Sequence, residues 1–187
     1  FDKAQEYPTW VKEVEREMTE GHHAHSHDHD HGNGLVHSHS HEFGLTAFVY
    51  RARRPFVPQR LMEFMGPKIP GLIRSKGYFW LCTRMDYAGY FQLAGQLKDY
   101  GMAGTWYSAI PEERWTQDMR DFIASEWVEP LGARRQELVF IGAGFDWPAL
   151  KARLDACLVP AEETTGPYDV PEYPDPFGDW RRSPEAA

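Results

Sequence analysis

All nine histidines of this 187-residue chain fall within HHAHSHDHDHGNGLVHSHSH, residues 22–41. Neutral imidazole is a borderline ligand suited to zinc, nickel and copper. His22, His23, His25, His27, His29, His31, His37, His39 and His41 mostly alternate with small or acidic residues. On a pliant chain, His-X-His spacing lets several ring nitrogens converge on one tetrahedral ion without a preformed pocket. Asp28 and Asp30 stand among them, adding carboxylate oxygens and lowering the local positive charge. Such a tract does not name its metal, because imidazole-rich sites follow the general affinity order and geometry does the selecting. It is interrupted and internal, unlike the unbroken terminal run of a purification tag; an inert soluble linker is the plain alternative. It is poorly suited to catalysis, since nothing holds an open coordination position beside a fixed base.

A second grouping is basic. Arg51, Arg53, Arg54, Arg60, Lys68, Arg74, Lys76 and Arg84 face only Glu63 among acids between positions 51 and 84. Arginine forks suit carboxylate and phosphate partners, and Arg51, Arg53, Arg54, Arg74 and Lys76 are the candidate docking residues. The plain alternative is a solvated strand face balancing acidic flanks. Cys82 closes an apolar strand and Cys157 lies on an apolar helix stripe, which reads as two buried, inert thiols. They are too few for a disulfide framework or a thiolate zinc site made within the chain, and such usage fits a reducing, cytoplasmic setting. No G-x-x-x-x-G-K-[ST], G-x-S-x-G or H-E-x-x-H occurs. With every histidine in one tract, the remainder has no imidazole for acid–base work, so this chain is not expected to be an enzyme. Lys and Arg number 20 against 28 Asp and Glu, and the net charge runs from −8 with neutral histidines to +1 with all nine protonated. An acidic total argues against a general nucleic-acid binder. No apolar run reaches the roughly 18 residues needed to cross a bilayer. The opening FDKAQEYPTW has neither the basic nor the apolar region of a secretory signal, and a start at Phe1 suits a processed product or a piece of a longer protein.

Composition divides the chain into four zones. Residues 1–21 are acidic and loosely helical, with Trp10, Val11 and Val14 as anchors. Residues 22–42 form the histidine-rich linker, expected to be disordered because only Leu35 and Val36 could enter a core. Residues 43–158 carry the apolar periodicity of a folded domain. Residues 159–187 hold six of the 14 prolines and seven acids against two arginines; they predict an irregular, acidic, proline-rich tail that Tyr173, Phe177 and Trp180 can pin. Within the folded zone strands are predicted at 45–53, 72–82, 87–97, 102–110 and 135–142. The third places Tyr87, Phe91, Leu93 and Leu97 on one face, with Gln92 and Gln96 opposite. A helix is predicted from Pro58 to a stop at Gly66-Pro67, and another where Trp115, Met119, Phe122, Ile123 and Trp127 recur at helical spacing. A last helix follows an Asp146 cap, with Pro148 in its first turn and Leu150, Leu154, Cys157 and Leu158 as its stripe. The order βαβββαβα predicts an α+β fold, an antiparallel-rich sheet with helices packed on one face.

Four blocks, YRARRPFVPQRL (50–61), GLIRSKGYFWLCTR (71–84), GARRQELVFIG (132–142) and ALKARLDACL (149–158), together resemble the C-terminal domain of CobW-type GTP-binding proteins. DPFGDW (175–180) resembles the tail of the zinc-linked metallochaperone subgroup, so the resemblance covers about 44–182. It implies a P-loop GTPase domain upstream, then a histidine-rich linker, then this domain. The phosphate loop and the cysteine-rich metal motif of that GTPase domain are missing from this chain, so GTP and Mg enter only through the missing part. The resemblance implies zinc as the ion, with nickel or cobalt as alternatives, and a role in zinc homeostasis. It implies as partners the chain's own GTPase domain and a client metalloprotein, with the basic block as the place to meet them. The alternatives are a stand-alone zinc or nickel buffer and, with no fixed base or nucleophile behind it, a linker-zinc hydrolase.

Overall fold

The computed structural model describes residues 44–144, 146–163 and 171–180. The elements run β1 (Leu45–Ala52), α1 (Pro58–Met65), β2 (Leu72–Trp80), β3 (Tyr87–Ala94), β4 (Leu97–Thr105), α2 (Gln117–Glu126), β5 (Gln136–Ala143) and α3 (Trp147–Asp155). This is the expected βαβββαβα order. The strands make one open antiparallel sheet, ordered β1-β5-β2-β3-β4.

Register decides which side chains share a face. Phe48 pairs with Phe140 and Tyr50 with Leu138. Ser75 and Gly77 of β2 continue those two rows, and Phe91 and Leu93 of β3 extend them. Since side chains alternate across a strand, this face is the apolar one. It is covered by Leu61, Phe64 and Met65 of α1 and by Trp147, Leu150 and Leu154 of α3, all in one cluster with the strand residues. Gly77 is required here: a Cβ would lie 2.2 Å from the Glu137 carbonyl oxygen. Both helices begin as their sequence predicts. Pro58 opens α1, and the Asp146 carboxylate accepts the Ala149 N–H at 2.9 Å ahead of Pro148 in α3.

Two elements differ from the periodicity reading. The strand expected at 102–110 starts at Leu97, because Gly95, at φ +62°, lets a two-residue turn close β3 onto β4 with Ala94 opposite Leu97. Leu97 therefore leaves the row of Phe91 and Leu93 and is 79% exposed. The helix expected around Trp115–Trp127 is shorter. Thr116 caps it at Met119, only Ile123 is buried on it, and Trp115 and Trp127 meet edge-to-face at 5.8 Å beyond its ends. A short 3-10 turn at Glu112–Arg114 holds the chain out of the helix at its start, and extended backbone at Trp127 ends it.

The sheet is closed at one end by a polar side chain. Gln136 is 0% exposed. Its carbonyl oxygen accepts the Trp80 N–H at 2.8 Å, and its amide nitrogen donates to the carbonyls of Trp80 and Arg54, each at 2.9 Å. Beside it Phe56 bridges Leu81 on one side and Leu158 on the other. Val57 N–H donates to the Cys157 carbonyl and Val159 N–H to the Pro55 carbonyl, which ties the end of α3 to the start of α1. Gln136→Leu keeps the volume and strands buried backbone groups, so it is expected to cost about 2–4 kcal/mol. Urea unfolding of the two chains measures it, and a loss under about 1 kcal/mol would contradict the role.

Candidate functional site

The histidine tract with Asp28 and Asp30 lies outside the described residues. Among the described residues, no group of three or more His, Cys, Asp and Glu is placed to hold a metal ion. None of their helices is long and apolar enough to cross a membrane.

The five candidate docking residues separate. Arg51, Arg74 and Lys76 come together on the face opposite α1 and α3, in register with Glu137, Ile141 and Val139. The Arg51 guanidinium meets Glu137 at 3.0 Å, and Arg135 meets the same carboxylate at 2.6 Å. Arg53 and Arg54 lie apart from these and also tie backbone carbonyls, Arg53 half-buried and Arg54 exposed. Arg53 donates to the carbonyls of Glu126, Gly132 and Arg134, and Arg54 donates to the Val159 carbonyl at 2.8 Å. Burial and the neighbouring Arg135 charge loosen the Arg53 proton, against the pull of Glu126 and Glu137. Backbone carbonyls left over where strands end are natural partners for a five-donor fork, and the sequence motif Arg53-Arg54 does not distinguish that use from partner docking.

Both cysteines are buried, in separate apolar clusters. Burial pushes each thiol up to about 11, so roughly one in 10,000 is ionised at pH 7.

Sequence reasoning missed the partner of Arg84. Its guanidinium grips both oxygens of Asp175, at 2.7 and 2.9 Å, and the Gly178 carbonyl at 2.6 Å. It also lies 4.2 Å from the centre of the Trp180 ring. The Thr83 hydroxyl donates to the same carboxylate. Phe177 is buried against Phe79 and Tyr100, each with ring centres 5.5 Å apart. Gly89 makes the room: a Cβ there would lie 2.4 Å from the Phe79 ring and 2.8 Å from Trp180. Residues 175–180 thus strap the sheet, and a cleft of ≈ 640 Å³ lies beside them, lined by Thr83, Arg84, Tyr87, Met102 and Trp180. Arg84 was visible in the sequence only as one member of the basic block; nothing in the spacing pairs it with an acid 91 positions on.

Residues 45–158 match the family described as cobalamin synthesis protein cobW C-terminal domain. A zinc-regulated GTPase metalloprotein activator 1 of Dictyostelium discoideum is 33% identical over 164 residues, covering 85% of this chain and 31% of the relative. A protein of Mycobacterium tuberculosis named a zinc chaperone is 32% identical over 138 residues, 72% of this chain and 35% of the relative. The chain thus spans about a third of the length of these relatives. Among solved structures, the Zn(II)-bound YjiA GTPase of E. coli aligns over 61% of this chain and 30% of that chain, at 15% identity and a TM-score of 0.44.

Two predictions follow from the geometry of the thiols and the strap. In the native chain both thiols should react with a thiol reagent at least about 100-fold more slowly than in the unfolded chain; fast labelling of either would contradict inert burial. Burial opposes ionisation of Asp175, yet hydrogen bonds from Arg84, Thr83 and the Phe177 N–H outweigh it and hold the carboxyl below its ordinary value of 3.8. A carboxyl lowered on folding stabilises only while ionised. The grip of the strap should therefore be full above about pH 4 and fall away as pH drops below 3.8. Amide exchange over 175–180, corrected for intrinsic rates, measures it. Asp175→Asn should remove the pH dependence, and a pH profile identical in the native chain and in that variant would contradict the clamp.

Proposed function

Because the chain belongs to the family of cobalamin synthesis protein cobW C-terminal domains, we propose that it is a non-catalytic zinc-binding and partner-recognition module of a GTPase metallochaperone acting in zinc homeostasis. The observation that carries this reading is the juxtaposition of nine histidines in residues 22–41 with a domain of this family starting at residue 45. Relatives named as zinc-regulated and as a zinc chaperone support the choice of ion. In this reading the imidazoles collect zinc in the cytoplasm, and Asp28 and Asp30 offset the charge that the ion brings. GTP and Mg are handled by a GTPase domain carried outside this chain. The folded domain recognises that GTPase domain and a client metalloprotein, with Arg51, Arg74 and Lys76 as the cationic face.

Ligand imidazoles must shed their protons, which sets the pH dependence. Below about pH 6.5 each ligand competes with a proton, at a cost of about 30-fold per histidine by pH 5. A zinc competition titration at pH 7.4 tests the reading on the full chain and on a chain lacking 22–41. Tight, multi-equivalent binding is expected to vanish with the deletion and to weaken by at least about a hundredfold at pH 5. Binding that survives the deletion, or that is unchanged between pH 5 and 7.5, would overturn histidine ligation.

A further inference from the structure

β4 is an outer strand of the sheet, and among the described residues no backbone hydrogen bond joins it to anything but β3. The two-residue turn makes Ala94 and Leu97 the closing bonded pair. Bonded pairs alternate along an antiparallel ladder, so Lys98 and Tyr100 turn their backbone N–H and C=O outward. From Leu97 to Met102 the register with β3 is unbroken. Unpaired groups of this kind are a template for another extended chain, and lysine is a usual guard against it. Lys98 does not guard this edge: its ammonium is turned to the carbonyls of Met65, Gly66 and Pro67. Met102 also forms part of the wall of the ≈ 640 Å³ cleft, with Tyr87 and Trp180. That volume lies within the range of about 300–1,000 Å³ typical of pockets that enclose a ligand. The cation in the wall, Arg84, is already bonded to Asp175 and Gly178 and lies over Trp180. What the cleft offers is chiefly apolar and aromatic surface.

We propose that β4 is a receptor edge: an extended peptide segment of a partner protein adds to it as a further strand and seats one large apolar side chain in the cleft. In pairing of this kind main-chain bonds supply affinity, and a pocket for an alternate side chain supplies selectivity. On the face that carries α1 and α3, side chains of the added strand stand beside those of Tyr100 and Met102, so one of them reaches the cleft without distorting the strand. A second copy of this chain has no such anchor to give from its own β4. On that face its Lys98 is bonded to the end of α1, its Tyr100 packs on Phe177 and its Met102 is already cleft wall. The edge is also distinct from the cationic face, because Arg51, Arg74 and Lys76 stand on β1 and β2, with β3 between them and β4. The proposal therefore holds whether or not that face docks a partner, and whether or not the histidines hold zinc.

The test uses the full chain, with chelator present, against a display library of random linear heptapeptides and then synthetic copies of the sequences it enriches. Those sequences are expected to share one large apolar residue at a fixed position. N-methylation of the peptide backbone at alternate residues should weaken binding at least about tenfold in one phase and little in the other, because only one set of N–H groups meets β4. Met102→Lys places a charge in the cleft and should weaken binding at least about tenfold, while hydrogen exchange of β2 and β5 is unchanged. In the complex the amides of Lys98 and Tyr100 should exchange at least about tenfold more slowly than in the free chain, with those of Asp99 and Gly101 slow in both. No enriched sequence, equal weakening by both methylation phases, full affinity of Met102→Lys or unslowed Lys98 and Tyr100 amides overturns the proposal. So does slow exchange of those two amides in the free chain together with a dimer in sedimentation, because the occupant of the edge is then a second copy.

Discussion

The side-chain amide of Gln136 stands where the backbone ladder between β2 and β5 gives out. Their paired register ends at Tyr78 and Glu137, and two residues later both backbone polar groups of Trp80 are bonded to Gln136. In a low-dielectric interior those groups would otherwise be costly. With them satisfied, β2 can leave the ladder, and Leu81 joins the stretch around Phe56 instead. That stretch also carries the bonds to Cys157 and Val159. The start of α1 and the end of α3 are thereby set against the same face, and the apolar core between helices and sheet depends on it. The amide also reaches the Arg54 carbonyl, so β5, β2 and the segment that follows β1 meet at one side chain.

Cations serve the same end elsewhere. Arg53 gathers three carbonyls from the 126–134 stretch. Arg134, itself buried, donates to the Met85 and Leu131 carbonyls and meets Asp86 at 3.4 Å. Lys98 takes the carbonyls of Met65, Gly66 and Pro67 at the end of α1, where the helix dipole favours positive charge. Arg84 does likewise for the C-terminal strap. Long donors of this kind satisfy chain ends where no ladder or helix continues. The cations over the second face, Arg51, Arg74 and Lys76, are set apart by position: they project from mid-strand, between ladder bonds that are already made.

The function proposed for this chain divides between a part that needs no fold and a part that is all fold. A tract of imidazoles works through local concentration and needs only ligands on a pliant backbone. A docking surface works through register, because a one-residue slip sends every side chain to the opposite face. The histidines were accordingly readable as candidate ligands from their types and spacing. The grouping of Arg51, Arg74 and Lys76 was readable only as a charge excess, since their proximity comes from β5 running between β1 and β2.

Local signals determined much on their own. The order and type of elements along the chain, the Pro58 start, the Asp146 cap, the burial of Cys82 and Cys157 and four blocks resembling one family were all in the sequence, because each depends on neighbours within a few residues or on burial patterns with a fixed period. Even there, Gly95 overrode alternation: a positive φ turned the chain two residues before Leu97, and periodicity counting carries no information about backbone sign. The tertiary structure decided the rest. Gln136 reads as an ordinary polar strand residue until Trp80 is brought beside it across 56 positions, and the carbonyl partners of Arg53 and Arg54 come from distant loops that the sequence does not pair with them. Asp175 finds Arg84 only because Phe177 and Trp180 seat the strap on Phe79. Hydrogen-bond partners are set by three-dimensional distance, and a linear sequence specifies that distance only through the fold as a whole.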